Sequence, residues 1–299
     1  MLPLLIVTLL WAASFGLIKT HLVALPPDLV NAVRLLLTLA VFLPFLRAPR
    51  PESGPRRALL LLGAVQFGAM YAFYTRSFGK LDAHQAALAT ILTPLFVTLV
   101  DDLLDRRFRL RPVACALLAV LGTALSLGVL DLRGRSLEAA ALEGILLIQA
   151  SNLCFAIGQV GYRRVLARHP ELGDVRAFAW CALGGALVGV LAALPVLATQ
   201  GLPPVSPVQG GVLVYLGVVA SGAGFFLWNV GARRVPGSVL AVMNNLKIPA
   251  AMLAAFLVFG ERPAWGRLSL GLAAILLALL LAARPGLPKE GSRRGVALT

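Results

Sequence analysis

Lys247 places an ammonium group near the middle of the apolar run PGSVLAVMNNLKIPAAMLAAFLVFGE (236–261), with Asn244 and Asn245 before it and Pro249 after it. At the centre of a bilayer-spanning helix a lysine costs about 2.5–3.5 kcal/mol. From either end of the run it is separated by roughly 15 Å of helix, too far to snorkel easily. Ionisable groups at that depth face a wet cavity, a partner or a charged solute. Proline also frees a carbonyl one turn earlier, here near Asn245. Lys247 therefore either meets an anionic group on a substrate or satisfies the broken helix. The three-residue spacing puts Asn244 and Lys247 on one helical face, whereas Asn245 points about 100° away and reads as glue between helices.

A second polar wall follows from the spacing of Gln149, Asn152, Ala156, Gln159 and Arg163, one stripe at helical period. Amides can bind zwitterionic or neutral polar groups without the desolvation cost of a charge, or they can bond to neighbouring helices. Arg34 lies about two turns inside its span, with Asn31 one turn nearer the end; it can clamp a carboxylate with its planar fork or snorkel outward. Aromatic residues recur at the same period. Phe67, Tyr71, Tyr74 and Phe78 form one stripe, Ser221, Phe225 and Trp228 another, and Trp11 sits beside Ser14. These read as packing, or as the walls of a solute cavity. The candidate substrate-binding set is thus Lys247, Asn244, Gln149, Asn152, Gln159, Arg34, Trp11, Ser14, Tyr71, Tyr74 and Trp228.

The elements that must position these groups are set by composition. The chain is 59% hydrophobic and 13% charged, about half the charge of a soluble domain. Its apolar runs approach the roughly 20 residues that cross a bilayer as a helix. Ten spans are expected, at 2–19, 28–46, 57–78, 82–103, 111–130, 140–161, 175–198, 208–230, 237–259 and 265–283. The first lacks a basic leader and a small-x-small cleavage site, so it reads as retained.

The net charge of +14 is a topology signal. With the N-terminus inside, the inner connections at 47–57, 106–111, 163–176 and 233–234 and the end at 284–294 hold eighteen Lys and Arg, and the outer connections hold seven. Basic loops stay cytoplasmic, so both termini are expected in the cytoplasm and nucleic acid is not an expected partner. The Ala, Leu, Gly and Arg richness points to a bacterial inner membrane. Cys115, Cys154 and Cys181 fall within spans, without metal-like spacing or disulfide partners. Gly185 and Gly189 suit close helix packing.

Placing Pro94 over Pro249 aligns FYTRSFGKLDAHQAALATILTPLF with LWNVGARRVPGSVLAVMNNLKIPAA without a gap. Each stretch has an aromatic span end, a short basic connection and a small-residue helix before a mid-span proline. Five spans per half is odd, so the halves enter the membrane in opposite senses. Inverted repeats of this kind build transporters with the solute site near the midplane. The halves are read as 1–135 and 136–284, followed by a disordered cytoplasmic tail at 285–299.

The stretches LLWAASFGLIK (9–19), NAVRLLLTLAVFLPF (31–45), ALATILTPLFVTL (87–99) and LVFGE (257–261) resemble the drug/metabolite transporter superfamily, EamA type. NLCFAIGQVGYRR (152–164) with NNLKIP (244–249) looks like its carboxylate, amino acid and amine exporter branch. The resemblance implies an all-α membrane protein of ten helices in two inverted five-helix repeats, often exporting metabolites. One departure is DDLLDRR (101–107), where a Gly-Glu pair is commoner.

The expected function is secondary transport, as an exporter of small amphipathic metabolites such as amino acids or related carboxylates. The alternative is export of drugs or cationic amines on the same fold. His21, His84 and His169 lie near span ends and far apart, and no midplane carboxylate or Cys/His pair supplies an enzyme's acid, base or metal set. No phosphate-binding loop appears, so ATP is not expected to be used. No cofactor is expected, the partners are a small-molecule substrate and the lipid bilayer, and a monomer is the simplest assembly.

Overall fold

The computed structural model describes residues 2–46, 52–77, 79–81, 89–127, 139–259 and 265–283. The expected repeat boundary at 135, the tail at 285–299, Phe78 and His84 fall outside them. All regular structure among the described residues is helical: α1 (Leu2–Leu17), α2 (Pro27–Leu46), α3 (Ser53–Ser77), α4 (Thr93–Asp105), α5 (Leu110–Leu127), α6 (Ala139–Arg168), α7 (Asp174–Gln200), α8 (Pro207–Arg233), α9 (Gly237–Phe259) and α10 (Trp265–Ala283). Six stretches are long and apolar enough to cross a membrane, namely α2, α3, Leu142–Arg168 of α6, α7, α8 and Trp265–Ala282 of α10. Leu2–Ala12 and Leu110–Gly122 are shorter apolar helices.

Two boundaries depart from the expected spans for identifiable reasons. No breaker follows residue 161 until Pro170, so α6 runs on to Arg168 and carries Arg163 and Arg164 beyond the apolar zone. Pro94 sits in the first turn of α4, where a missing amide donor costs nothing; a short 3-10 turn, Thr90–Leu92, leads into it. Three helices loosen to wider π turns, at Ile18–Leu22, Ala64–Ala69 and Tyr215–Ala223. Such turns shift side chains off the regular helical face and occur often at functional sites.

The main packing partners obey an exchange rule. α1 packs on α8 and α9, while α6 packs on α3 and α4; α2 packs on α7 and α8, while α7 packs on α2 and α3. α5 pairs with α10, and α4 with α9. Adding five to each label of the first half, or subtracting five in the second, returns these same pairs. The α3–α7 approach depends on absent side chains. A Cβ on Gly63 would lie 1.9 Å from the Cys181 carbonyl oxygen, and one on Gly184 2.0 Å from that of Leu60. Gly185 faces the Phe67 side chain and Gly189 that of Leu35, where an added Cβ would come to 2.8 and 2.9 Å, the packing role expected for that pair.

Cross-helix contacts define two faces of the bundle. At the basic face Arg109 donates to Asp102 (2.6 Å) and Asp101 (2.9 Å), Arg164 donates to Asp101 (2.9 Å) and Asp105 (2.7 Å), and Arg233 donates to Asp174 (2.7 Å). Arg106 makes this possible by ending α4 at a left-handed φ of 50°, so the chain folds back. Burial pulls Arg109 down, but the bonds to both aspartates outweigh it and raise it above its ordinary value. The opposite face is tied by Arg76 to Asp28 (3.0 Å), Lys80 to Glu143 (2.6 Å) and Gln209 to the His21 carbonyl (3.0 Å).

Candidate functional site

A cavity opens among α1, α2, α3, α4, α6, α8 and α9, enclosing about 630 Å³ with its mouth included. Its walls are Trp11, Ser14 and Ile18 from α1 and its π turn, Arg34 from α2, and Met70, Tyr71 and Tyr74 from α3. Thr90 and Thr93 from the start of α4, Ser151, Asn152 and Phe155 from α6, Phe225 from α8 and Lys247 from α9 complete them.

Two cations face this space. Lys247 is half-buried, and its Nζ lies 5.9 Å from the centre of the Trp11 ring. Neither Lys247 nor Arg34 is ion-paired with a carboxylate among the described residues. Arg34 is only 5% exposed. Its guanidinium stacks 4.1 Å over the Tyr71 ring while Nε donates to Ser221 Oγ, and the Tyr71 hydroxyl meets that same Ser221 at 3.0 Å. The fork is thus held in place by α3 and α8 rather than extended to the surface. Stacking on an aromatic face offsets part of a cation's desolvation. A cavity with two such groups, and no carboxylate among the described residues of its walls, favours an anionic guest.

The amide wall is braced from α4. Asn152 Nδ2 donates to the Ala89 carbonyl (3.1 Å) and to Gln149 Oε1 (3.1 Å), and Thr93 Oγ1 donates to Asn152 Oδ1 (3.0 Å). Gln149 Nε2 donates to the same Ala89 carbonyl (2.9 Å). The floor is aromatic: Trp11 lies 4.7 Å from Phe225, 5.0 Å from Trp228 and 6.1 Å from Phe155 between ring centres. Trp11 Nε1 is anchored on the Ala220 carbonyl (2.9 Å), within the π turn of α8.

Of the residues expected from sequence, Lys247, Arg34, Asn152, Trp11, Ser14, Tyr71 and Tyr74 share the cavity wall. Gln149 stands behind Asn152 and supports it. Asn244 is fully buried in α9, its Nδ2 turned back to the Leu240 carbonyl (2.9 Å), so the shared face with Lys247 does not carry it into the cavity. Gln159 and Trp228 lie beneath the floor, bonded to each other at 2.9 Å. Asn245 reaches across to the Ile91 carbonyl (2.9 Å), the helix-to-helix bond anticipated for it. Thr90, Thr93, Ser151, Phe155, Ile18 and Met70 were not anticipated as wall residues. Hydroxyls and apolar side chains give little signal inside apolar spans, and Phe155 lies one residue off the amide stripe through Ala156.

The description "EamA-like transporter family" matches residues 1–128 and again 142–284. This chain belongs to that family. It is a transporter rather than an enzyme, and a multi-pass membrane protein. Among relatives of this EamA-like chain, a biotin transporter of Escherichia coli (strain K12) is 38% identical over 278 residues, covering 92% of this chain and 90% of the relative. A probable biotin transporter of Pseudomonas aeruginosa is 40% identical over 282 residues, covering 92% and 95%. A probable amino-acid metabolite efflux pump of Salmonella typhimurium is 25% identical over 264 residues, covering 86% of each. A solved crystal structure superposes with a TM-score of 0.73 at 22% identity, over 94% of this chain and 96% of the other, and shows the same fold.

Proposed function

We propose that this EamA-like protein is a secondary carrier of small amphipathic monocarboxylates, with biotin the first candidate. Lys247 and the cavity carry the reading: a cation with no carboxylate partner among the described residues opens into a space walled by aromatic rings and braced amides. Lys247 attracts the carboxylate and Arg34 supplies a second, rigid positive site. Asn152, positioned by Gln149 and Thr93, presents its amide to polar atoms. Trp11, Tyr71 and Tyr74 enclose the apolar part, and Ser14 lines the side next to Trp11. Gln159 with Trp228 lies beneath the floor. The names of the two most similar relatives described above favour biotin over the amino acids expected from sequence.

Alternating access would be provided by two inverted five-helix repeats, 1–135 and 136–284, rocking about the cavity. The exchange rule in the packing and the two separate family matches support that division. The basic face is assigned to the cytoplasm of a bacterial inner membrane, with both termini there, on the distribution of Lys and Arg.

Proteoliposomes preloaded with biotin, amino acids, organic acids and lipophilic amines test the substrate class, with efflux followed by mass spectrometry. Selective release of biotin supports the proposal. Release of amines alone would transfer the assignment to drug export.

A further inference from the structure

Beneath the cavity floor, three buried amides repeat the cavity wall one helical turn closer to the basic face. Gln66 lies four residues before Met70 on α3, Gln159 four after Phe155 on α6, and Asn229 four after Phe225 on α8. All three starting points line the cavity, and four residues advance a helix by about 6 Å. Gln66, Gln159 and Asn229 are 0% exposed. Gln66 Nε2 donates to Asn229 Oδ1 (3.2 Å), and Gln159 Oε1 accepts from Trp228 Nε1 (2.9 Å).

That leaves Gln66 Oε1, Gln159 Nε2 and Asn229 Nδ2 without partners among the described residues. Rotating the Gln66 and Asn229 amides exchanges the roles in their single bond and still leaves each with an idle group. Buried polar atoms are rarely left unpaired, and each such group calls for an explanation. The backbone makes room for this cluster: a Cβ on Gly158 would fall 2.1 Å from Gln66 Cβ. Gln66 also lies within the π turn of α3. One further turn along α6, Arg163 reaches the Val235 carbonyl (3.3 Å), and both Arg163 Nη1 and Asp101 Oδ2 border Gly237. The α6 stripe thus runs from the cavity through the amides to the basic face.

We propose that Gln66, Gln159 and Asn229 form a second polar station on the transport path, occupied when the carrier opens toward the basic face. It takes a neutral group that offers both N–H donors and a C=O acceptor, as a urea or amide does. The inference rests on the carrier reading above, with the ureido group of biotin as the candidate guest. Trp228 and its neighbours separate the station from the cavity in the present state. Rocking of the repeats would expose it as the cavity closes.

Labelled biotin flux is measured with Gln66→Leu in right-side-out and inside-out vesicles, so that substrate meets one face at a time. The station predicts that half-saturation rises about tenfold from the basic face, the scale of a lost buried bond, and stays within about twofold from the opposite face. An equal change from both faces, or none from either, would overturn it, because a merely structural amide has no preferred side. If Gln66→Leu does not fold, Asn229→Leu carries the same prediction. Wild-type protein that moves no biotin from either side would sink the carrier reading and the station together. Wild-type flux with an unchanged Gln66→Leu would sink the station alone.

Discussion

Replacing Lys247 with methionine changes substrate affinity and protein stability in opposite senses. The substitution keeps a long flexible chain and removes the charge. In the folded protein the lost neighbour is the Trp11 ring, 5.9 Å from Nζ, a weak contact of about 0.5–1 kcal/mol. Against it stands the cost of holding an ammonium at the middle of a span, about 2.5–3.5 kcal/mol when fully exposed to lipid and less beside a wet cavity. The Lys247→Met protein should therefore melt at the same temperature as wild type or higher. Binding moves the other way: a hydrogen bond to a charged group contributes about 1.5–3 kcal/mol, equivalent to a rise in half-saturating biotin of roughly 10- to 150-fold. Lys247→Arg, which keeps the charge in a larger head, should fall between the two. Thermal unfolding in detergent and labelled-biotin flux in proteoliposomes read both quantities on one preparation. A lower melting temperature with unchanged half-saturation would refute the reasoning and make Lys247 a structural residue.

The bundle makes further predictions. Gly184→Ala would drive a Cβ to 2.0 Å from the Leu60 carbonyl oxygen, backbone that cannot step aside, so the cost lies at the upper end of roughly 1–3 kcal/mol and the yield of monodisperse protein should drop; normal yield and melting would contradict the α3–α7 contact. At the basic face, the hydrogen bond from Arg164 holds Asp105 below its ordinary value of 3.8. A depressed carboxylate stabilises the folded state above its unfolded value and loses that contribution as pH falls through the folded one. Asp105→Asn should therefore melt slightly below wild type near neutrality, with the gap closing in the acid range, and the effect is small because solvent screens so exposed a pair. A gap that widens in acid would reverse the assigned sign.

The sequence made the helices and the two cations legible because each breaks a simple rule. A charge inside an apolar span is an anomaly, so Lys247 and Arg34 announce themselves, and both reach the cavity. Aromatic period brought Tyr71 and Tyr74 to the wall for the same geometric reason. Asn244 was misplaced relative to its neighbour because two residues three apart still differ by about 60° in direction, enough to put one in the cavity and the other in the core. Thr93 and Ser151 carried no signal, since hydroxyls in spans commonly satisfy themselves locally, as Thr38 and Thr98 do on carbonyls four residues back. Gln66 and Asn229 were available to sequence in one respect: shifting by the 155 residues that align Pro94 with Pro249 places Gln66 over Ser221 and Tyr74 over Asn229. The π turns near those positions had no sequence mark beyond local glycine, and they decide which side chains turn inward.

The central claim is that the path through this cavity opens to the two faces in turn, and counterflow tests it most directly. Proteoliposomes containing the wild-type protein are loaded with unlabelled biotin or with buffer alone, and labelled biotin is then added outside at low concentration. An alternating-access carrier with this cavity as its site should accumulate label faster, and transiently above the outside level, when biotin is already within. Equal entry into loaded and empty vesicles would contradict the account.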